Sequence, residues 1–194
     1  MERGLALGRD SGLMFWRPTI EAHLAVARSR LGQKGVAPVL ERVLEQSRRN
    51  SERYLMVRCL DGLAEIALAG GDAGGCRAFG DELLAIAEPN GLRELEAVAR
   101  RWRGEALLAG HAYAQAEREL TRAATLAQDL GRVRLQMDAQ GALARLHDAQ
   151  GRPEAALRHG TEARALARAI GESLGSSGLA ARLTIAVDEH NPAG

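Results

Sequence analysis

The chain has 194 residues, of which 46% are hydrophobic and only 3% are aromatic. Its 26 basic and 25 acidic side chains leave a formal net charge of +1, which excludes the strong positive field typical of nucleic-acid-binding and membrane-surface proteins. Strands favour β-branched and aromatic runs, and these are scarce. We therefore expect an all-α protein whose core is built from closely packed Ala, Leu and Val.

The cysteines and the apolar segments indicate a cytoplasmic setting. Cys59 and Cys76 do not make a disulfide framework, and Cys76 is expected to be a small buried side chain. The N-terminal sequence has no long apolar segment of the signal-peptide type, and no apolar run approaches the roughly 18 residues of a membrane span. We expect no membrane contact.

A 40-residue repeat organises the sequence from Gly91 through Gly131 to Gly171. Six further columns of small or apolar residues keep the same spacing: Ile86, Leu126 and Leu166; Ala87, Ala127 and Ala167; Leu83, Ala123 and Ala163; Cys76, Ala116 and Ala156; Ala64, Gly104 and Ala144; and Ala69, Ala109 and Ala149. One register shared by seven columns predicts a repeat array in which each period is one supersecondary unit.

Taken in order, the chain divides into a partial repeat, four repeats and a cap. Residues 2–12 are similar to 162–171, so residues 1–12 are expected to be the second helix of a preceding repeat, with a native N-terminal cap as the alternative. The chain is thus expected to be part of a longer array. Repeats are predicted at 18–50, 52–91, 92–131 and 132–171, and an amphipathic helix at 172–189 is expected to cap the stack.

The repeats have helical periodicity and Gly-rich connections. Ile20, Leu24, Ala27 and Leu31 recur at intervals of three and four residues, which places them on one face of a helix. The GGDAGG segment at 70–75 is not followed by Lys-Ser/Thr or preceded by an apolar strand, so it is predicted to be an interhelical turn and not a phosphate-binding loop.

The fourth repeat resembles a tetratricopeptide repeat. Leu143-Ala144 is similar to that family's large-small pair in the first helix, Gly151-Arg152-Pro153 to its turn, and Ala156 and Ala163 to its small positions in the second helix. In the third repeat, His111 stands at the turn glycine, with Gly110 one place early. A period near 40, in place of the usual 34, resembles the variant repeats in C-terminal regions of bacterial regulatory proteins that carry ATPase or cyclase modules.

This resemblance implies a right-handed superhelical solenoid of antiparallel helix pairs, in which the first helix of each pair lines a concave groove. Carried over residue by residue, it places eight charged side chains in that groove: Arg58, Asp61, Glu65, Arg101, Glu105, Asp138, Arg145 and Asp148. Chaperone-binding members clamp a C-terminal carboxylate with Lys and Asn, and no such clamp is expected here because Lys34, the only lysine, lies on a loop.

No catalytic, cofactor or metal site is predicted. Five histidines are scattered along the chain, and neighbours such as His147 and Asp148 point in different directions from a helix. Carboxylates with nearby arginines, including Glu96 and Glu119, are interpreted as solvated helix faces. Because no set of nucleophile, base and orienting group can be assembled from these residue types, we expect a protein that is not an enzyme.

Two functions remain open at this stage. The first is a protein- or peptide-interaction module within a larger bacterial protein of signalling or transcription regulation. The second is a sensor whose groove takes a small molecule or a signal peptide. Direct nucleic-acid binding is not expected because five carboxylates lie among the predicted groove residues, and self-association through the ends of the array is a remote further option.

Overall fold

The computed structural model describes residues 16–176, 178 and 181–185. Its α-helices are α1 (Arg17–Arg30), α2 (Ala37–Arg49), α3 (Arg53–Ala69), α4 (Ala73–Ala87), α5 (Arg93–Ala109), α6 (Tyr113–Asp129), α7 (Val133–Ala149) and α8 (Pro153–Ser173), with a 3-10 helix at Glu88–Asn90. Residues 181–185 are also helical. No strand occurs among these residues, which confirms the predicted all-α class. The helix predicted at 1–12 lies outside the described residues.

The connections between helices repeat at half the period found in the sequence. A residue with positive φ stands at positions 51, 71, 91, 111, 131 and 151, a constant spacing of 20 residues. Helices α3 to α8 accordingly begin at residues 53, 73, 93, 113, 133 and 153. One helix and one turn therefore occupy 20 residues, and the 40-residue sequence repeat contains two such segments.

Each turn ends one helix and starts the next through the same backbone hydrogen bonds. At the α6–α7 turn, the N–H of Arg132 donates to the carbonyl of Ala127 at 2.8 Å, and the N–H of Gly131 donates to that of Gln128 at 3.0 Å. This is the Schellman pattern, which satisfies carbonyls at the end of a helix. The carbonyl of Arg132 then accepts from the N–H of Gln136 at 2.9 Å and begins α7.

His111 takes the conformation that glycine has in most of these turns. Its φ is +59°, against +63° at Gly131 and +67° at Gly151. Its Nδ1 lies 2.9 Å from the Tyr113 hydroxyl, so a local side-chain contact accompanies a backbone geometry that L-residues adopt at a cost.

Gly171 differs structurally from Gly91 and Gly131, with which it shares a sequence column. It lies inside α8, which continues to Ser173, and the left-handed residue after that helix is Gly175. The longer helix extends the apolar surface of α8 by another turn. Ile170 in that turn packs against the buried cluster of Met137, Ala163 and Ala167. Leu183, within the segment predicted to cap the array, packs against the same cluster.

The chain comprises two compact units, residues 1–82 and 83–194. In the described part of the first unit, α1, α2 and α3 pack against one another. Their buried side chains include Val26, Leu40 and Leu60. Gly62 provides close approach here, because a Cβ on it would lie 2.6 Å from Cγ2 of Val26.

In the second unit each helix packs on the next, and α5 also packs on α7. The core between α5, α6 and α7 comprises Leu107, Ala116, Leu120, Ala123, Ala124, Ala139, Ala142, Leu143 and Leu146. A Cβ on Gly104 would lie 2.5 Å from Cγ of Leu120, so the small residue at this repeat position is required by its neighbour. Small side chains here let α5 and α6 approach closely.

The alanine column at the helix ends is not a packing column. Ala69, Ala109 and Ala149 are exposed at the last position of α3, α5 and α7. These three alanines do not pack as other repeat alanines do, because the chain turns away at the end of each of these helices. Ala64, Ala144 and Ala156, from other columns, are buried.

Replacing Ala144 by Leu should lower the free energy of unfolding by about 1–3 kcal/mol, because the site is fully buried and the added carbons overpack it. Ala149→Leu on the same helix is the matched control and should change it by less than about 0.5 kcal/mol. Urea denaturation of both variants measures the difference. Equal losses would show that the assigned register of α7 is wrong.

Gly131→Ala should destabilise the protein by about 1–2 kcal/mol, since φ is +63° and Ala resists that region. Gly110→Ala, in the preceding α5–α6 turn, serves as its control, because Gly110 has a φ of −86° and should tolerate a methyl group. His111→Gly tests the same point in reverse and should raise the melting temperature. A Gly131→Ala variant as stable as Gly110→Ala would contradict the left-handed turn.

Candidate functional site

The eight predicted groove residues lie on three helices. Arg58, Asp61 and Glu65 are on α3 in the first unit; Arg101 and Glu105 are on α5, and Asp138, Arg145 and Asp148 on α7, in the second. Each helix is the first of its predicted repeat. Glu65, Glu105 and Arg145 occupy one position of the 40-residue unit, so these charges repeat with the helices that carry them.

The structure joins Glu105 and Arg145 in a direct ion pair. Nη2 of Arg145 lies 2.7 Å from both carboxylate oxygens of Glu105. The Glu105 side chain is only 9% exposed and that of Arg145 is 26% exposed. A charge this deeply buried requires a partner, and here it comes from the equivalent position of the following repeat, across the α5–α7 contact.

Next to this pair, Arg101 lies over an aromatic ring. Its Cζ is 3.5 Å from the centroid of the Trp102 indole ring, and Trp102 is only 4% exposed. A guanidinium held on a ring face gains a cation–π attraction. Nε of Arg101 is buried without a hydrogen-bond partner within the described residues.

The two other predicted residues of α7 are not part of that pair. Asp138 accepts from Nε of Arg134, one turn earlier on the same helix, at 3.0 Å. Asp148 is exposed near the end of α7. Both carboxylates therefore lie on the helix that carries Arg145. The surface formed by α5 and α7 carries charges of both signs, from Arg101, Glu105, Asp138, Arg145 and Asp148, and is called the mixed-charge surface.

The first unit contains an ion pair of the same kind between first helices. Glu65 on α3 accepts from Nη2 of Arg30 on α1 at 2.8 Å, and Arg58 lies 3.4 Å from Asp61 on α3 itself. Arg30 is 53% exposed on its side chain, so this pair is solvated more than Glu105–Arg145 and contributes less. The order of signs is reversed: the arginine is on the earlier helix in the first unit and on the later one in the second.

Beside Arg58, an imidazole and a phenol connect α1 with α3. Nε2 of His23 lies 3.2 Å from the Tyr54 hydroxyl. Burial and then the charge of Arg58 lower the pKa of His23, which favours a neutral imidazole at this position.

The carboxylates interpreted as solvated include two that form an ion network. Arg100 donates to Glu96 at 2.8 Å and to Glu119 on α6 at 3.1 Å, and Arg122 lies 3.5 Å from Glu96. The side chains of Glu96 and Glu119 are only 17% and 16% exposed. The solvated interpretation of these two is therefore wrong, because the α5–α6 packing brings arginines over them. Burial alone would raise the pKa of Glu96, but Arg100 and Arg122 outweigh it and lower that pKa.

Sequence reasoning also missed a cluster between α7 and α8. The rings of His147 and His159 stack with centroids 5.1 Å apart and planes inclined by 18°. Nδ1 of His159 lies 2.6 Å from Oε1 of Gln140. Both histidines lie within two helical turns of the α7–α8 connection, and this proximity to a tight turn was the available signal.

Three further observations concern metal ligands, thiols and membrane spans. The described residues contain no group of three or more His, Cys, Asp or Glu side chains that could hold a metal ion. No disulfide joins Cys59 and Cys76, which are both buried, and burial raises the pKa of the Cys59 thiol to about 11, which disfavours a thiolate. None of the helices in this part of the chain is long and apolar enough to cross a membrane.

A cavity of about 340 Å³ lies at the start of α8, lined by Arg152, Pro153, Glu154, Ala155 and Arg158. None of the eight predicted groove residues lines it. The mixed-charge surface of α5 and α7 is therefore separate from this cavity.

No protein-family model matches this chain, and no curated protein is significantly similar to it. The geometry of the helices and of the charges that they carry is therefore what bears on function.

Replacing Arg100 by Met should lower the free energy of unfolding by about 1–2 kcal/mol at neutral pH, since it leaves Glu96 and Glu119 less compensated. The lowered pKa of Glu96 means that its contribution is present above about pH 4.5 and is lost as the pH falls through its folded-state value. The difference between wild type and Arg100→Met should therefore shrink on acidification. Denaturation curves at several pH values measure it.

Arg93→Met provides the control, because the Arg93–Asp129 pair links the same two helices but is half exposed on both sides. That variant should lose less than about 0.5 kcal/mol at any pH. A difference between wild type and Arg100→Met that does not change with pH would contradict the assigned role of the network.

Proposed function

We propose that this chain is a non-catalytic helical-repeat module that binds a polypeptide on the surface formed by α5 and α7. The observation that carries this proposal is the Glu105–Arg145 pair. Glu105 on α5 and Arg145 on α7 occupy the same position of successive repeats and carry opposite charges. Arg101 lies on α5 as well, and Asp138 lies on α7. In this proposal the module belongs to a larger cytoplasmic regulatory protein, as the sequence resemblance implies.

The architecture proposed for the module is a right-handed superhelical solenoid of antiparallel helix pairs of the tetratricopeptide type. Three features support it: the constant 20-residue spacing of the turns, the packing of each helix on the next in the second unit, and the contact between α5 and α7. In such an array first helices lie side by side, so their outer charges form one continuous surface.

The Glu105–Arg145 ion pair is suited to sharing its charges with charged groups of a ligand. In the free protein it satisfies two charges that are otherwise costly to bury. The Arg145 side chain remains 26% exposed, and in this proposal a ligand reaches the outer edge of its guanidinium. A ligand carboxylate can contact that edge, and a ligand cation can contact Asp138 or Asp148, without either charge being left unpaired.

A polypeptide fits this surface better than a nucleic acid. The accessible carboxylates of Asp138 and Asp148 lie on this surface with Arg101 and Arg145, so a phosphate backbone would meet acidic groups as well as basic ones. A peptide of mixed charge matches both signs. The charged groups of the peptide and of the surface attract one another through solvent-exposed contacts, which salt screens. Binding should therefore weaken as the salt concentration rises.

The test is selection of peptides from a random display library on the wild-type chain, followed by measurement of their affinity for two charge-neutral variants. Glu105→Gln with Arg145→Gln removes the central pair and preserves the net charge and approximate side-chain volume. Arg93→Gln with Asp129→Asn is the matched control, since it neutralises a pair between α5 and α6.

Selected peptides should bind the Glu105/Arg145 variant at least about tenfold more weakly, because one lost charge-assisted hydrogen bond corresponds to about 1.5–3 kcal/mol. They should bind the Arg93/Asp129 variant as tightly as wild type. Circular dichroism checks that both variants retain their helicity. Peptides that bind all three proteins equally, or a chain that selects none, would contradict the proposal.

A further inference from the structure

The cluster of His147, His159 and Gln140 lies where α7 and α8 pack together. His147 is 6% exposed and Gln140 is 8% exposed, while His159 on α8 is half-buried. The nearly parallel rings, 5.1 Å apart between centroids, make a direct contact between the two helices. Neither ring belongs to the mixed-charge surface.

The hydrogen bonds of the cluster suit two neutral imidazoles. Nδ1 of His159, 2.6 Å from Oε1 of Gln140, is the donor in that contact. Nδ1 of His147 is buried and has no hydrogen-bond partner within the described residues. A bare lone pair is tolerated there at less cost than an N–H without an acceptor, so His147 is best placed with its proton on Nε2.

Protonation conflicts with this arrangement at either ring. An N–H at Nδ1 of His147 would be buried with no acceptor within the described residues. A proton on His159 would place a charge against the second imidazole. Burial, then His147 and Arg158, lower the pKa of His159, against the opposing effect of Glu162 and Glu117.

The two acidic groups that face His159 are engaged elsewhere. Glu162 on α8 accepts from Nε2 of Gln136 on α7 at 3.1 Å. Glu117 on α6 lies 3.6 Å from Nη1 of Arg152. With Arg158 on α8, these are the charged groups acting on His159 from the three helices around it. None of them makes a hydrogen bond to either imidazole, so an added proton has no acceptor ready for it.

We propose that the His147–His159 stack is a pH-sensitive contact between α7 and α8, closed when both rings are neutral and opened locally by proton uptake. The direction follows from linkage. A histidine whose folded-state pKa is lowered stabilises the closed form fully above its unfolded value of about 6.5, and this stabilisation is lost as the pH falls below it. Mild acid therefore separates the end of α7 from the start of α8.

The experiment is hydrogen exchange of the whole chain followed by mass spectrometry at about pH 7.5 and about pH 5.5, corrected for the intrinsic effect of pH on exchange. Peptides from residues 140–147 and 156–163 report on the contact, and peptides from α6 serve as the internal reference. If one proton is taken up on opening, the opening constant rises by up to about tenfold per pH unit. The increase should be confined to the α7–α8 peptides.

His147→Gln with His159→Gln removes both imidazoles of the stack and should abolish the pH dependence. His111→Gln is the control at an exposed imidazole in the same unit and should retain it. If the double variant does not fold, the NMR titration of the His159 Cε1 proton in the wild-type chain tests the proposal instead. A midpoint at or above about 6.5, or the same pH dependence in the double variant, would overturn the proposal.

Discussion

The left-handed residue at the end of each helix is the constraint on which the rest of this structure depends. Six such residues, from Ser51 to Gly151, follow one another at a spacing of 20. In each turn, the N–H of the residue after the left-handed one donates to the carbonyl five residues before it, as the N–H of Arg132 does to the carbonyl of Ala127. Since most of these connections have only three residues, little freedom remains in how one helix follows the last.

In the second unit this constant spacing brings equivalent positions of two repeats into contact. Glu105 and Arg145 are 40 residues apart, which is two helix-and-turn segments, and they meet across α5 and α7. The packing that allows it depends on small residues, because a side chain at Gly104 would collide with Leu120. Backbone turns, small core residues and surface charge are therefore parts of one arrangement, and the candidate binding surface is a consequence of the register.

Much of the helical content could be predicted from the sequence. The apolar periodicity and the shortage of strand-forming residues predicted the all-α class, and Gly91 and Gly131 marked real turns. The half-period remained hidden because glycine is not the only residue at the turn positions: Ser51 and His111 adopt positive φ there as well. Gly171 was misleading for the opposite reason, since a glycine can also lie within a helix.

The candidate site was less accessible to sequence reasoning. The resemblance to tetratricopeptide repeats singled out the charged residues of α3, α5 and α7, but it did not predict which of them would meet. Glu105 forms its ion pair with Arg145 of the next repeat, whereas Asp138 pairs with Arg134 on its own helix. The ion network at Arg100 and the stacking of His147 on His159 both depend on the rotation of one helix against the next. Side-chain packing sets that rotation, and it leaves no periodic signal.

The most direct test of this account is a double-mutant cycle on the free energy of unfolding, using Glu105→Gln, Arg145→Gln and the combination. If the turns set the register described above, the two residues touch, and the cycle should give a coupling energy of about 1–3 kcal/mol. Additive effects, with a coupling energy near zero, would show that α5 and α7 do not bring these positions together and would contradict the account.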